Sequence, residues 1–139
     1  EVYEESLRAL TAPNSPYLTT APMKIRFRGE EGLDYGGVGR EWFRLITSKM
    51  LDEGFPFFHK SDANVWWFSP RAKRMEPNWK PHYRFLGQVT GLAVRDRRHI
   101  ALPLHPLVWK LLLYHEGIDF FRELKGSDPD LYVQMGRMG

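Results

Sequence analysis

The chain has 139 residues, no cysteine and a formal net charge of +3. The missing cysteines exclude a disulfide framework, a thiolate metal site and a thiol nucleophile within these residues. An apolar share of 42%, with five tryptophans, supplies a modest core and excludes a disordered chain, and no apolar run approaches the ~20 residues of a membrane-spanning helix.

The start, Glu1-Val2-Tyr3-Glu4-Glu5, is acidic and has nothing of a secretory leader, so an intracellular setting, cytoplasmic or nuclear, is expected. Glu1 in place of Met, and an ending at Gly136-Arg137-Met138-Gly139, suggest a fragment of a longer chain. Val2, Tyr3, Leu7 and Leu10 predict a short amphipathic helix over residues 1–10. Residues 11–22 hold Pro13, Pro16 and Pro22 and read as a loop. Met23-Lys24-Ile25-Arg26-Phe27-Arg28 alternates apolar and basic, which predicts a half-buried strand with Met23, Ile25 and Phe27 inward.

A glycine-rich turn follows. From residue 38 to 51 the period becomes helical, with Val38, Trp42, Leu45, Ile46 and Met50 on one face. Residues 54–81 are broken by four prolines, and Phe55-Pro56-Phe57-Phe58 and Val65-Trp66-Trp67-Phe68 read as short strands. Residues 82–94 carry Tyr83, Phe85, Leu86, Val89, Leu92, Ala93 and Val94, the pattern of a buried central helix. Gly87 and Gly91 lie four apart on it, and because each weakens a helix by about 1 kcal/mol, the pair predicts close packing of another element. Ile100 to Leu104 reads as extended, and Pro106 can open an internal apolar helix over residues 107–114. Short helices are expected over residues 118–124 and from Asp128-Pro129 onward.

Chemistry is sparse. The loop from Gly29 to Arg40 joins strand to helix, as phosphate-binding loops do, but no Lys-Ser or Lys-Thr follows it. Trp42 stands where a dinucleotide fingerprint needs a small residue, and Glu30, Glu31 and Asp34 would repel phosphate. A structural reading fits better: Asp34 caps the helix, Arg40 and Glu41 reach back to orient the turn, and Trp42 anchors in the core. His59, His82, His99, His105 and His115 lack metal-ligand spacing, so no metal and no cofactor is expected. Residues 71–98 hold eight basic residues against Glu76 and Asp96, which reads as a solvated face; a nucleic-acid site is disfavoured because no RNA-binding motif accompanies it. In Val65-Trp66-Trp67-Phe68, alternation puts Val65 and Trp67 on one face and Trp66 and Phe68 on the other. Either both faces pack inside or one is a docking surface, where Trp is a favoured anchor.

The stretch Gly29-Glu30-Glu31-Gly32-Leu33-Asp34-Tyr35-Gly36-Gly37-Val38-Gly39-Arg40-Glu41-Trp42 resembles the signature near the start of the HECT domain of ubiquitin-protein ligases. Tyr3 to Leu7 is similar to that family's opening helix, the segment between Asn64 and Pro70 to its N-x-x-x-x-x-N-P, and Tyr83 to Val94 to its F-x-x-x-G-x-x-x-G-x-A helix. Leu102-Pro103-Leu104 with the helix after it, and Asp128-Pro129-Asp130-Leu131-Tyr132, continue the likeness.

The resemblance implies an α+β, mostly helical fold: residues 1–139 as one partial domain, the large subdomain of an N-lobe, with small β elements around a buried Gly-x-x-x-Gly helix and no C-lobe. It implies a parent enzyme that takes ubiquitin from a conjugating enzyme as a Cys thioester and passes it to substrate lysines. The conjugating enzyme would dock through parts not in this chain, and this piece, lacking the nucleophile, would be inactive scaffold of marginal stability. Some family members hold a second ubiquitin on the surface aligned with Val65, Trp66, Trp67 and Phe68. The alternative is a stand-alone, non-catalytic module that binds ubiquitin or ligase partners.

Overall fold

Tyr3, Leu7 and Leu10 recur at helical spacing, and they are the buried face of helix α1, Val2–Thr11. Glu4 and Glu5 sit in its first turn, where carboxylates complement the helix dipole. The helix stops at Ala12, whose extended backbone (φ −58°, ψ 142°) is what a residue before proline adopts. A 3-10 turn, Pro16–Leu18, interrupts the expected loop. This computed structural model describes residues 1–19, 22–29, 37–62, 64–114, 116–127 and 129–137.

Helix α2, Gly37–Met50, buries Trp42, Phe43, Ile46 and Met50 along one stripe. Strands β1, Phe58–Lys60, and β2, Trp66–Phe68, pair in a two-stranded sheet. The bonds from Ser61 N–H to Val65 O and from Ser69 N–H to Phe57 O set the hairpin register. A single turn, α3 (Ala72–Met75), precedes the long helix α4, Trp79–Arg95. Helices α5 (Pro106–Tyr114), α6 (Phe120–Ser127) and α7 (Pro129–Gly136) complete the chain. The architecture is the expected mostly helical α+β class.

The contacts divide the chain into two units: Glu1–His59 with Phe68–Leu102, and Lys60–Trp67 with Pro103–Gly139. In the first, α1, α2 and α4 pack on one another. Phe85, Ile46, Met50 and Val89 are the largest fully buried side chains there. The helices are pinned by polar bonds distant in sequence: Trp42 Nε1 donates to Ser6 Oγ at 2.9 Å, and Tyr3 and His82 share a bond of 2.8 Å. Helix α4 ends in a Schellman-type motif, with Arg97 left-handed (φ 52°) and Arg98 N–H bonded to Ala93 O at 2.8 Å.

In the second unit, Trp66 and Leu104 form a parallel bridge: Trp66 N–H donates to Pro103 O, and His105 N–H to Trp66 O, both at 2.9 Å. His105 then caps α5, its Nδ1 accepting Leu107 N–H at 3.1 Å, while Pro106 gives up no needed donor at the helix start. Helices α5 and α6 pack together and are joined by the Lys110–Glu123 ion pair, and α6 packs on α7 with Lys125 over the Tyr132 ring.

Four expectations are corrected. Residues 23–28 form no strand: they pair with none among the described residues and Arg28 stands in a turn, so their alternation marks a half-covered face without a ladder partner. Gly87 and Gly91 are exposed, and a Cβ built on either meets nothing within 4 Å, so close packing is not why they are glycine here. Val94 is 75% exposed, which makes α4 amphipathic and not buried all round. Helix α5 is apolar on most sides, yet Leu112, Leu113 and Tyr114 are exposed, so it is not internal.

Candidate functional site

The expected ubiquitin-contact run is divided by the fold. Trp66, on the chain's path into the bridge with Leu104, is 8% exposed. Val65 and Trp67 are half-buried, and Trp67 sits edge-on to the His105 ring, centroids 5.1 Å apart. These three residues belong to the second unit. Phe68 belongs to the first and is 37% exposed. It lies against Phe58 (5.6 Å) and edge-on to Tyr83 (5.4 Å). The alternation therefore sorts the run incompletely: Trp66 and Phe68, predicted to share a face, differ in burial and in surroundings.

Tyr83 organises the aromatic side of this region. Its ring meets Phe57, Phe58, Phe68 and Trp79 edge-on, an arrangement that sets ring edge against ring face. Its hydroxyl donates to Phe57 O at 2.7 Å. Burial pushes the phenol above its usual range, opposed by the backbone of Ser69. Sequence reading assigned Tyr83 only to a helix core; the contact with Phe57, 26 positions away, is a product of folding.

The glycine signature is described in part. Glu30, Glu31, Gly32, Asp34 and Gly36 lie outside the described residues. Gly29 has φ +85°, a conformation that favours glycine, and stands with Arg28 in a turn. Gly37 opens α2. Trp42 is buried, as expected of an anchor. Glu41 does not reach back to the turn: both its oxygens accept from Arg44, at 2.8 and 2.6 Å, three residues on. This exposed pair holds the Glu41 carboxyl below its usual range. Arg40 is exposed on the same helix.

A second polar feature escaped the sequence reading. His82 stacks on Phe57 at 4.2 Å and on Tyr3 at 5.8 Å, and its Nδ1 meets the Tyr3 hydroxyl. Burial depresses the His82 pKa, against the opposing carboxylates of Glu76 and Glu4, and drives the Tyr3 phenol well up. Phe55, Phe57, Glu4, Glu76 and His82 line a cavity of about 460 Å³. Partners 79 residues apart leave no local signal. Among the described residues no group of three His, Asp or Glu side chains is placed to hold a metal ion. No helix among them is long and apolar enough to cross a membrane.

Among the described residues no acid–base pair or nucleophile stands out; the features above are packing, capping and aromatic surface. Comparison with known proteins supplies the class. The family described as HECT-domain (ubiquitin-transferase) matches residues 44–139, more than half of the chain. The chain belongs to the HECT-domain family of ubiquitin transferases. It is 29% identical over 135 residues to the E3 ubiquitin-protein ligase TOM1-like of Neurospora crassa, covering 96% of this chain and 3% of that protein. It is 27% identical over 136 residues to E3 ubiquitin-protein ligase TOM1 of Saccharomyces cerevisiae, covering 97% of this chain and 4% of that protein. With E3 ubiquitin-protein ligase ptr1 of Schizosaccharomyces pombe it shares 29% identity over 135 residues, 96% of this chain and 4% of the other. The chain thus spans only a few per cent of the length of these relatives.

Proposed function

We propose that this chain is scaffold from the N-lobe of a HECT-type ubiquitin-protein ligase. The parent protein accepts ubiquitin from a conjugating enzyme as a cysteine thioester and transfers it to substrate lysines. The observation that carries the reading is the family match over residues 44–139 in a chain without cysteine. If the parent works through a thioester, its nucleophile lies outside these 139 residues. The chain by itself then has no transferase activity. The parent would work in the cytoplasm or nucleus, where thiols stay reduced.

The test is direct. Incubated with activating enzyme, conjugating enzyme and labelled ubiquitin, the 139-residue chain should form no thiol-sensitive ubiquitin adduct, whereas the parent protein should form one. An adduct on this chain, or a parent without a reactive cysteine, sinks the reading.

A second reading, a non-catalytic ubiquitin-binding module, rests on the partial exposure of Phe68 beside the Tyr83 cluster. Ubiquitin titrated into the labelled chain should then shift the resonances of Phe68 and Trp67. Saturating ubiquitin without such shifts removes this reading and leaves the first intact.

A further inference from the structure

Residues 71–84 carry Arg71, Lys73, Arg74, Lys80 and Arg84 against Glu76 alone, while the whole chain is only +3, so the remainder is slightly acidic. All five cations are exposed. They run from the N-cap of α3 to the second turn of α4, within the first unit.

Elsewhere Arg28, Arg44, Arg95 and Lys110 each find a carboxylate. Among the described residues the five cations of this strip find none. Glu76 is engaged otherwise: its Oε1 accepts Asn78 N–H at 3.0 Å, and its side chain lines the cavity beside His82. No acid stands in the first turn of α4. Like charges this close repel one another and do nothing for the described fold, so what they offer is directed outward.

The strip also has a place for an anchor. Lys73, Pro77, Asn78, Trp79, Lys80 and Pro81 line a cavity of about 430 Å³. Trp79 is half-buried and edge-on to Tyr83 at 5.8 Å, with the Lys80 ammonium 5.6 Å from its ring centre. The indole and the two proline rings give the cavity apolar wall, and the two lysines give it positive charge. Such a lining suits one apolar side chain with carboxylates next to it.

The same features choose the occupant. Single-stranded nucleic acid needs several rings on which to stack successive bases, whereas the strip offers one indole, already carrying Lys80. A second copy of the chain meeting this surface with its own would set cations against cations. An acidic polypeptide satisfies both the charge and the cavity.

We propose that residues 71–84 are a docking surface for an acidic segment of another protein, in which an apolar residue stands between carboxylates. The apolar side chain enters the cavity beside Trp79, and the carboxylates pair with Lys73 and Lys80. Arg71, Arg74 and Arg84 add attraction at longer range. The inference does not depend on ubiquitin binding or transfer.

The probe is a capped hexapeptide, Asp-Glu-Leu-Pro-Glu-Asp, titrated into the isotope-labelled 139-residue chain and into the parent protein. Saturable shifts are expected over residues 73–84, the Trp79 indole N–H included, with affinity falling about tenfold as salt rises from about 0.05 to 0.3 M. Lys73→Glu with Lys80→Glu changes exposed side chains and should leave the melting temperature in place. That variant should weaken the peptide by roughly tenfold or more and bind a peptide with Lys for each acid instead. Lys73→Gln with Lys80→Gln should fall between. Replacing the peptide's Leu by Gly should also weaken it. Unchanged affinity after charge reversal or after the Leu change overturns the proposal. So does a single-stranded oligonucleotide that binds these residues more tightly than the peptide. So does binding to the 139-residue chain that is lost in the parent protein, because the parent then covers the surface with its own chain.

Discussion

In the first unit, helices α1, α2 and α4 turn their apolar stripes toward one another, and Ile46, Phe85 and Val89 lose all contact with solvent. In the second, α5 is the most apolar helix of the chain, and yet Leu112, Leu113, Tyr114 and Phe120 of this unit lie on the surface. The difference is periodicity, not hydrophobicity. A helix with one apolar stripe needs one partner, whereas a helix apolar all round needs partners on every side. Its neighbour α6 covers α5 on one side. The first unit is also pinned by Trp42–Ser6 and Tyr3–His82, bonds whose partners lie 36 and 79 positions apart. The second is held partly near in sequence, by the His105 cap and the Lys110–Glu123 pair, and at long range by the bridge of Trp66 to Leu104. Stability and stickiness should therefore separate along the chain.

The sharpest break comes from Phe85→Ala, which removes a ring with no solvent exposure and should cost about 3–5 kcal/mol in urea unfolding. An effect below 1 kcal/mol would mean that the first unit is not the stable core. Trp42→Phe keeps most of the apolar bulk and deletes the donor to Ser6 Oγ; a loss of about 1 kcal/mol is expected, because the half-buried serine can turn to water.

Acid tests the same unit through His82. Its folded pKa lies below the usual 6.5, so the unfolded chain binds the extra proton first. The stability this neutral histidine contributes is present above pH 6.5 and is lost as pH falls through the lower, folded value. The melting temperature should drop on acidification from pH 7 to pH 5, and His82→Gln should flatten that dependence. An identical slope in the variant assigns the effect to another group.

The smallest change in stability is expected in the second unit. Leu112→Gln with Leu113→Gln alters side chains already on the surface and should move stability by within about 0.5 kcal/mol. The same pair should lower binding of a hydrophobic dye and self-association measured by sedimentation. If it destabilised the chain as much as Phe85→Ala, the contrast between the units would be lost.

Much of the helical framework was legible locally. The stripe Tyr3, Leu7, Leu10, the run around Trp42 and the pattern Phe85, Leu86, Val89, Leu92 each gave a helix where one stands. The strand over residues 23–28 was misread for an equally physical reason: alternation reports which face is covered, but a strand also needs a neighbour, and that is not a local property. Exposed Gly87 and Gly91 show the converse error, where a close packing was inferred from the absence of a side chain. Of the candidate site, the aromatic run was visible in the letters, but the division of Trp66 from Phe68 was not.

Taken by itself, the order of residues determined the helix positions, the absence of a thiol nucleophile within the chain and the family likeness, because periodicity, composition and motif are properties of neighbouring residues. Only the tertiary structure decided that Trp42 bonds Ser6, that Tyr83 gathers Phe57, Phe58 and Phe68, that His82 stacks between two rings, and that residues 23–28 find no ladder partner among the described residues. Those outcomes depend on which distant groups meet and on how much water is left between them. Both are set when the helices pack, and no window of sequence contains either.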